Sequence, residues 1–161
     1  MFRAVVLFCA VLALTKGQIT QVNQCITNNS GPLPLQTVIE GCKTQPCYLP
    51  QGQDAVVSIV FEAPHAMQHM RTTATAFIGV ISIPYDLGEN AETCNSLSNT
   101  SCPVKEGELI ESTLRMPIEE FMPVGTQLPI QFRILDENNV PVTCIRVTVR
   151  IAPPVVNKLG A

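Results

Sequence analysis

Tryptophan is absent from this 161-residue chain, only two tyrosines occur, and just 14% of the residues are charged. The ten Lys and Arg residues are scattered, with no basic stretch. Because neutralising nucleic-acid phosphates requires clustered Lys and Arg, the sequence argues against a nucleic-acid partner. Hydrophobic residues make up 46% of the chain, so much apolar surface must be buried, either in a self-filled core or around an apolar ligand.

The residue patterns of catalytic and metal sites are also missing. No serine lies in a Gly-x-Ser-x-Gly turn, and the carboxylates of the adjacent Glu119 and Glu120 would point to opposite faces of a strand. The chain has no Cys-x-x-Cys pair, and His65 and His69 are not close to a cysteine pair, which disfavours a zinc site. We therefore predict a protein that is not an enzyme, with no metal and no cofactor, and with both histidines at the surface.

The first residues are typical of a secretory leader. Arg3 precedes an apolar run, residues 4–14, which is shorter than the roughly 20 residues of a membrane span. Thr15 and Gly17 are small enough for a signal peptidase, so we predict a signal peptide over 1–17; an uncleaved anchor is the alternative. We expect a secreted protein, extracellular or in the lumen of an endosome or lysosome.

The mature chain of about 144 residues suits a single domain with one core. Without the leader, eight Lys and Arg stand against thirteen Asp and Glu, for a net charge near −5. We place the domain at 18–151 and expect a flexible tail at 152–161, where Pro153 and Pro154 occur. We expect a monomer.

Six cysteines remain once Cys9 leaves with the leader: Cys25, Cys42, Cys47, Cys94, Cys102 and Cys144. An even number in an exported protein favours three disulfides. Six cysteines allow fifteen pairings, and counting alone does not choose among them. Proximity along the chain suggests Cys42–Cys47 and Cys94–Cys102, which leaves Cys25–Cys144 to tie the two ends of the domain together.

Short segments of alternating apolar and polar residues between turn signals predict about seven β-strands. They are 19–24, 35–40, 55–62, 72–83 (with Gly79 as a bulge or bend), 108–116, 128–135 and 142–151, with a turn at 136–139. Thirteen prolines and the lack of a long 3.6-residue period argue against a helical bundle. The one-sided alternation favours an all-β, antiparallel sandwich.

An ordered set of motifs resembles one known family. The segment 42–49, CKTQPCYL, is followed by a strand; 79–85, GVISIPY, ends a strand at a proline and an aromatic residue; then come Cys94, 102–104 (CPV), 114–121 (LRMPIEEF) and Cys144. This set, spanning 25–151, resembles the Niemann–Pick type C2 proteins of the MD-2-related lipid-recognition (ML) family. Phe132 and Ile145 stand where vertebrate members often carry tryptophan, which fits an arthropod-type member.

The resemblance implies an immunoglobulin-like sandwich with an apolar cavity between its sheets, and the same three disulfides that proximity suggests. It implies a carrier that binds and transfers a sterol or a similar apolar lipid and meets a membrane surface or a membrane-bound sterol receptor transiently. Tyr85, Ile118 and Phe121 fall where the family lines the cavity mouth. The full set of candidate ligand-binding residues is Phe61, Phe77, Val80, Ile83, Tyr85, Ile118, Phe121, Ile130, Phe132 and Val147.

Three alternatives remain open on sequence grounds. The chain could be an extracellular carrier of fatty acids or semiochemicals, an innate-immune receptor component that recognises bacterial lipids, or an adhesive sandwich with a filled core. Lipopolysaccharide recognition requires basic residues near the mouth to pair with phosphates, and these are few here. Separately, Asn28 and Asn99 each begin a glycosylation sequon.

Overall fold

The computed structural model describes residues 17–156, so the predicted leader (apart from Gly17) and the end of the predicted tail lie outside the described residues. The described residues form eight strands: β1 (Gln36–Ile39), β2 (Cys47–Pro50), β3 (Asp54–Glu62), β4 (Met70–Ile78), β5 (Ile81–Tyr85), β6 (Leu109–Pro117), β7 (Gln127–Asp136) and β8 (Pro141–Ala152). Two short 3₁₀ turns, Gly88–Ala91 and Thr93–Ser96, lie between β5 and β6. Within 17–156, no helix has the length and apolar character needed to cross a membrane.

The strands form two sheets packed face to face, which is the predicted β-sandwich. One sheet has the order β1-β3-β6 and the other β2-β8-β7-β4-β5. Alternation directs one side of each strand into the core: Val57, Ile59 and Phe61 of β3 are buried, as are Ile145 and Val147 of β8. Since alternate side chains point to opposite faces, the intervening residues form the outer faces of the sandwich.

The predicted strand over 72–83 is instead a hairpin. Ile78 pairs with Ile81, and only Gly79 and Val80 lie between β4 and β5. Two-residue hairpin loops require positive φ, and Gly79 supplies it with φ of +60°. Alternation continues on both sides of this turn, so the β-branched residues alone do not reveal it.

Two other elements differ from expectation. Residues 19–24 form no strand and make only an isolated bridge, between Asn23 and Arg146. Conversely, the short strand β2, which the sequence analysis did not predict, pairs with β8 in parallel, with Leu49 opposite Ile151. The chain reaches β8 after crossing from the smaller sheet, through the loop closed by Cys42 and Cys47, and there it runs in the same direction as β8.

Three disulfides join Cys25 to Cys144, Cys42 to Cys47 and Cys94 to Cys102, the same pairs that the sequence analysis expected. The first connects the segment before β1 to the first third of β8 across a sequence separation of 119 residues. The other two close local loops, with separations of 5 and 8 residues.

A buried carboxylate organises the predicted turn between β7 and β8. Asp136 Oδ1 accepts hydrogen bonds from the N–H groups of Asn138 (2.9 Å) and Val140 (2.8 Å), and its Oδ2 lies 2.8 Å from His65 Nε2. Burial raises the pKa of the Asp136 carboxyl, but these hydrogen bonds, led by that from Val140, outweigh burial and hold the pKa below its usual range.

Replacing this carboxylate, Asp136→Asn, should lower the free energy of unfolding at neutral pH by about 2 kcal/mol, because hydrogen bonds to a charged acceptor weaken. The folded-state pKa lies below the unfolded value of about 3.9, so the carboxylate stabilises the native state above that pH. This contribution is lost as the pH falls through the folded-state pKa. Urea unfolding near pH 7 and near pH 3 measures the effect, and a difference between the two proteins that stays constant with pH would contradict it.

Candidate functional site

An apolar cavity of about 310 Å³ lies between the two sheets at one end of the sandwich. Its lining is apolar apart from Thr126 and the hydroxyl of Tyr85. The lining residues are Leu49, Ala76, Ile78, Ile83, Tyr85, Met116, Ile118, Phe121, Met122, Pro123, Thr126, Leu128, Ile130, Val149 and Ile151. They come from β6 of the smaller sheet, from all five strands of the larger sheet and from the segment after β6.

A small side chain on β4, the strand next to the edge of the larger sheet, leaves room for this cavity. Ala76 of β4 lies opposite Ile83 of β5 on one side and Ile130 of β7 on the other. Both isoleucines line the cavity, and between them the single methyl group of Ala76 leaves space unfilled. Protein interiors are otherwise close-packed, so an apolar gap of this size is a feature that a ligand can occupy.

The cavity opens to solvent between the edge of β5 and the segment after β6. Phe121 is 80% exposed and Ile83 is 45% exposed, although both also line the cavity. Between them, the Tyr85 hydroxyl donates a hydrogen bond of 2.5 Å to the carbonyl of Pro117, which joins the edge of the larger sheet to the end of β6.

Tyr85 remains a donor across the physiological pH range. Burial, and secondarily the negative charge of Glu119, raises the pKa of the Tyr85 phenol above its ordinary value. The phenol therefore stays protonated at neutral and acidic pH and can donate to Pro117 there. We call this hydrogen bond the Tyr85–Pro117 latch.

Five of the ten candidate ligand-binding residues line the cavity together: Ile83, Tyr85, Ile118, Phe121 and Ile130. Three others, Phe61, Phe132 and Val147, are almost completely buried but do not line it. They fill the sandwich beyond the cavity, so the space between the sheets is open at one end and packed elsewhere.

The structure places the remaining two candidates away from the cavity. Val80 is fully exposed at the tip of the β4–β5 hairpin, because Gly79 and Val80 form the turn. Phe77 lies on the outer face of the larger sheet, where the Arg146 guanidinium lies 4.9 Å from its ring centroid. The predicted single strand over 72–83 does not contain the turn that exposes Val80.

Sequence reasoning missed much of the lining. Leu49 could not be predicted as a lining residue because β2 was not predicted. Ile151 could have been, because the alternation of β8 extends to it. The residue types of Ala76 and Met116 do not indicate a cavity, since alanine and methionine are also common in a packed core. Met122 and Pro123 belong to an irregular segment whose path depends on tertiary contacts.

The two sequons have different surroundings. Asn28 is exposed in a turn. The side chain of Asn99 pairs with the edge of β6, where its Nδ2 donates to the Leu109 carbonyl (2.8 Å) and its Oδ1 accepts from the Glu111 N–H (2.9 Å).

Residues 17–156 contain no group of three or more His, Cys, Asp or Glu side chains that could hold a metal ion. His65 is bound to Asp136, and His69 Nε2 lies 2.5 Å from Glu92 Oε2. The two histidines therefore contact separate carboxylates rather than a common site.

Comparison with known proteins identifies relatives of this chain. NPC intracellular cholesterol transporter 2 of the dog, Canis lupus familiaris, is 25% identical over 113 residues, covering 70% of this chain and 73% of that protein. The mouse protein of the same name is 21% identical over 148 residues, covering 92% and 95% respectively. A crystal structure of a Niemann–Pick type C2 protein from the Japanese carpenter ant shares the fold, with a TM-score of 0.64 at 17% identity over 85% of this chain and 96% of that one.

A family model described as the ML domain matches residues 20–151. This range contains all eight strands apart from the last residue of β8, the three disulfides and every residue that lines the cavity. On that match, the chain belongs to the ML domain family.

Proposed function

We propose that this protein is a lipid carrier that buries a sterol or a similar apolar molecule in the cavity between its sheets and releases it unchanged. The single observation that carries the proposal is an apolar cavity that opens between β5 and the segment after β6. The name of the dog and mouse relatives, cholesterol transporter, supports a sterol as the cargo. Binding is reversible burial rather than a covalent reaction.

The energetics suit this role. Burying about 300 Å² of apolar ligand surface contributes roughly 7–8 kcal/mol at about 25 cal/mol per Å². Ordering of the ligand and of the residues at the mouth reduces this favourable free energy of binding. The remaining affinity allows both loading and release.

The size of the cavity bears on the cargo. About 310 Å³ is at the lower end of the roughly 300–1,000 Å³ that ligand pockets occupy. A slender molecule such as a fatty acid chain suits a cavity of this size, whereas the rigid rings of a sterol require the mouth to widen. A carrier of fatty acids or semiochemicals is therefore the second candidate. Recognition of bacterial lipid phosphates is less favoured, because no Lys or Arg is among the lining residues.

The proposed setting is the secretory route, with the carrier extracellular or in an endosomal or lysosomal lumen. Three disulfides suit an oxidising compartment. Transfer would take place when the mouth around Ile83 and Phe121 meets a membrane or a membrane-bound receptor. Both side chains are exposed there and present apolar surface.

Lipid uptake from vesicles tests the function. The purified protein is incubated with vesicles that carry labelled cholesterol, labelled palmitate or a labelled long-chain hydrocarbon, then separated from them and measured by native mass spectrometry. We expect one lipid per chain. Cholesterol as the preferred cargo supports the sterol proposal, palmitate or hydrocarbon alone supports the second candidate, and no uptake of any of the three would refute a carrier function.

Removing the latch, Tyr85→Phe, should speed both uptake and release by roughly fivefold at nearly unchanged affinity. The variant loses one hydrogen bond, worth about 1 kcal/mol, across the mouth but keeps the aromatic surface against the cavity. Stopped-flow transfer of a fluorescent sterol or fatty acid measures both rates. Tyr48→Phe, on the outside of β2, is the matched control and should transfer at the wild-type rate. Equal rates in all three proteins would show that the latch does not limit entry.

A further inference from the structure

Charge is distributed unevenly between the two sheets. The larger sheet contains four arginines, Arg71, Arg133, Arg146 and Arg150, and a single carboxylate, Asp136, which is buried at the end of β7. The mature chain as a whole is acidic, near −5. The larger sheet is therefore a basic surface on an acidic protein.

The four arginines form a diagonal row on the outer face. Arg71 lies opposite Leu135, and Arg133 lies opposite Thr73, so these two arginines are diagonal neighbours on β4 and β7. Arg133 and Arg146 are diagonal neighbours on β7 and β8 in the same way. Diagonal neighbours are about 7–8 Å apart, and Arg150 is four residues further along β8, about 13 Å away. We call this set the arginine row.

Among the described residues, no guanidinium of the arginine row forms an ion pair with a carboxylate. Arg133 donates from Nη2 to Thr27 Oγ1 at 2.7 Å, and its buried Nε has no partner. Two carboxylates approach the Arg71 end: Glu92, which is bound to His69, and Asp86, which accepts from the Gly88 N–H. Arg146 is half-buried, with Nη1 3.2 Å from the Gln131 amide and its guanidinium over the Phe77 ring. The exposed Arg71 and Arg150 are therefore free to bind an external anion, and Arg133 and Arg146 contribute only their remaining N–H groups.

The groups around the row indicate the kind of anion. A depression of about 560 Å³ beside Arg71 and Arg133 is bordered by Thr73 and Thr75 on the strand side. Near Arg146, the Gln131 amide is buried and bonded within the protein, so it is not available to a ligand. The depression also has apolar walls, at Pro84, Leu87 and Leu135, so it offers threonine hydroxyls beside the two arginines together with some apolar surface. No large apolar side chain of the row projects as a membrane-inserting anchor would.

We propose that the arginine row binds a linear sulfated polysaccharide. Sulfate groups repeated along such a chain match guanidinium groups repeated along a line, and the hydroxyls of Thr73 and Thr75 beside Arg71 and Arg133 can bond the sugar. The site is on the outer face and is separate from the lipid cavity, so this proposal does not depend on the proposed function. Because the protein is acidic overall, binding should be weak and sensitive to salt.

Heparin affinity tests the proposal with the full mature chain. We expect retention on immobilised heparin at about 50 mM NaCl and elution by about 300 mM, as screening of exposed charges requires. Arg71→Gln/Arg150→Gln removes two exposed arginines of the row and should weaken binding of a heparin octasaccharide roughly fivefold. The matched control, Lys105→Gln/Arg115→Gln, removes the same charge from exposed positions on the side of the smaller sheet and should bind like the wild type. Thermal melts verify that both double variants fold.

Three outcomes would overturn the proposal. The first is no retention at low salt. The second is equal weakening in the two double variants, which would mean that only net charge matters. The third is wild-type binding to phosphatidylserine vesicles that equals or exceeds binding to heparin, which would make the row a membrane contact. Loss of binding to desulfated heparin would support the proposal. Lipid uptake should be the same in all three proteins, so this test and the test of the carrier function fail independently.

Discussion

Ala76→Phe should reduce lipid uptake by roughly a hundredfold while the protein remains folded. The added ring enters the cavity between Ile83 and Ile130, where Ala76 leaves room. If it displaces about 100 Å² of ligand contact, the lost burial is about 2.5 kcal/mol at about 25 cal/mol per Å², close to a hundredfold in affinity. The vesicle uptake assay measures the loss.

The neighbouring position supplies the control. Thr75→Phe adds a ring on the same strand but on the outer face, so it should bind lipid like the wild type. Ala76→Phe fills existing space rather than a packed core, and we expect its free energy of unfolding to change by less than about 1 kcal/mol. Wild-type uptake by a folded Ala76→Phe protein would show that lipid binds elsewhere.

Removing the Cys25–Cys144 disulfide should have the largest effect on stability. In the chain-entropy model, a closed loop with a separation of 119 residues restricts the unfolded chain by about 5 kcal/mol. That is comparable to the total stability of many domains, roughly 5–15 kcal/mol, so a Cys25→Ala/Cys144→Ala protein should be largely unfolded or close to it at body temperature. Urea unfolding under non-reducing conditions measures the change.

The Cys94–Cys102 disulfide provides the comparison. Its separation is only 8 residues, for which the same model gives about 2.5 kcal/mol. Cys94→Ala/Cys102→Ala should therefore cost about half as much. If the two double variants lose the same stability, loop length does not explain how these bonds stabilise the fold.

Most of the strands, and the buried side of each long strand, can be predicted from the residue pattern. In β3, β7 and β8, alternate apolar residues form runs long enough to define both the strand and its buried side. The hairpin at Gly79 was missed because alternation has the same period on both sides of a two-residue turn. The strand β2 was missed because four residues carry too little pattern, and its parallel pairing with β8 depends on distant parts of the chain.

The candidate site could be predicted only in part. Residues beside prolines at segment ends, Tyr85 and Ile118, do line the cavity. Phe61 and Phe132 are equally apolar and lie on strands of the same sandwich, yet they fill the core. Hydrophobicity measures how strongly a side chain avoids water, and it does not distinguish contact with another side chain from contact with a ligand.

By itself, the sequence determined that the chain is all-β, that six cysteines accompany the domain and that one side of each long strand is buried, because alternation and residue type are local properties. Only the tertiary structure decided where the two sheets separate, which apolar residues border the gap and that four arginines spaced along three strands form one row. Those features depend on the register between strands distant in sequence, and register is set by the packing of the whole sandwich.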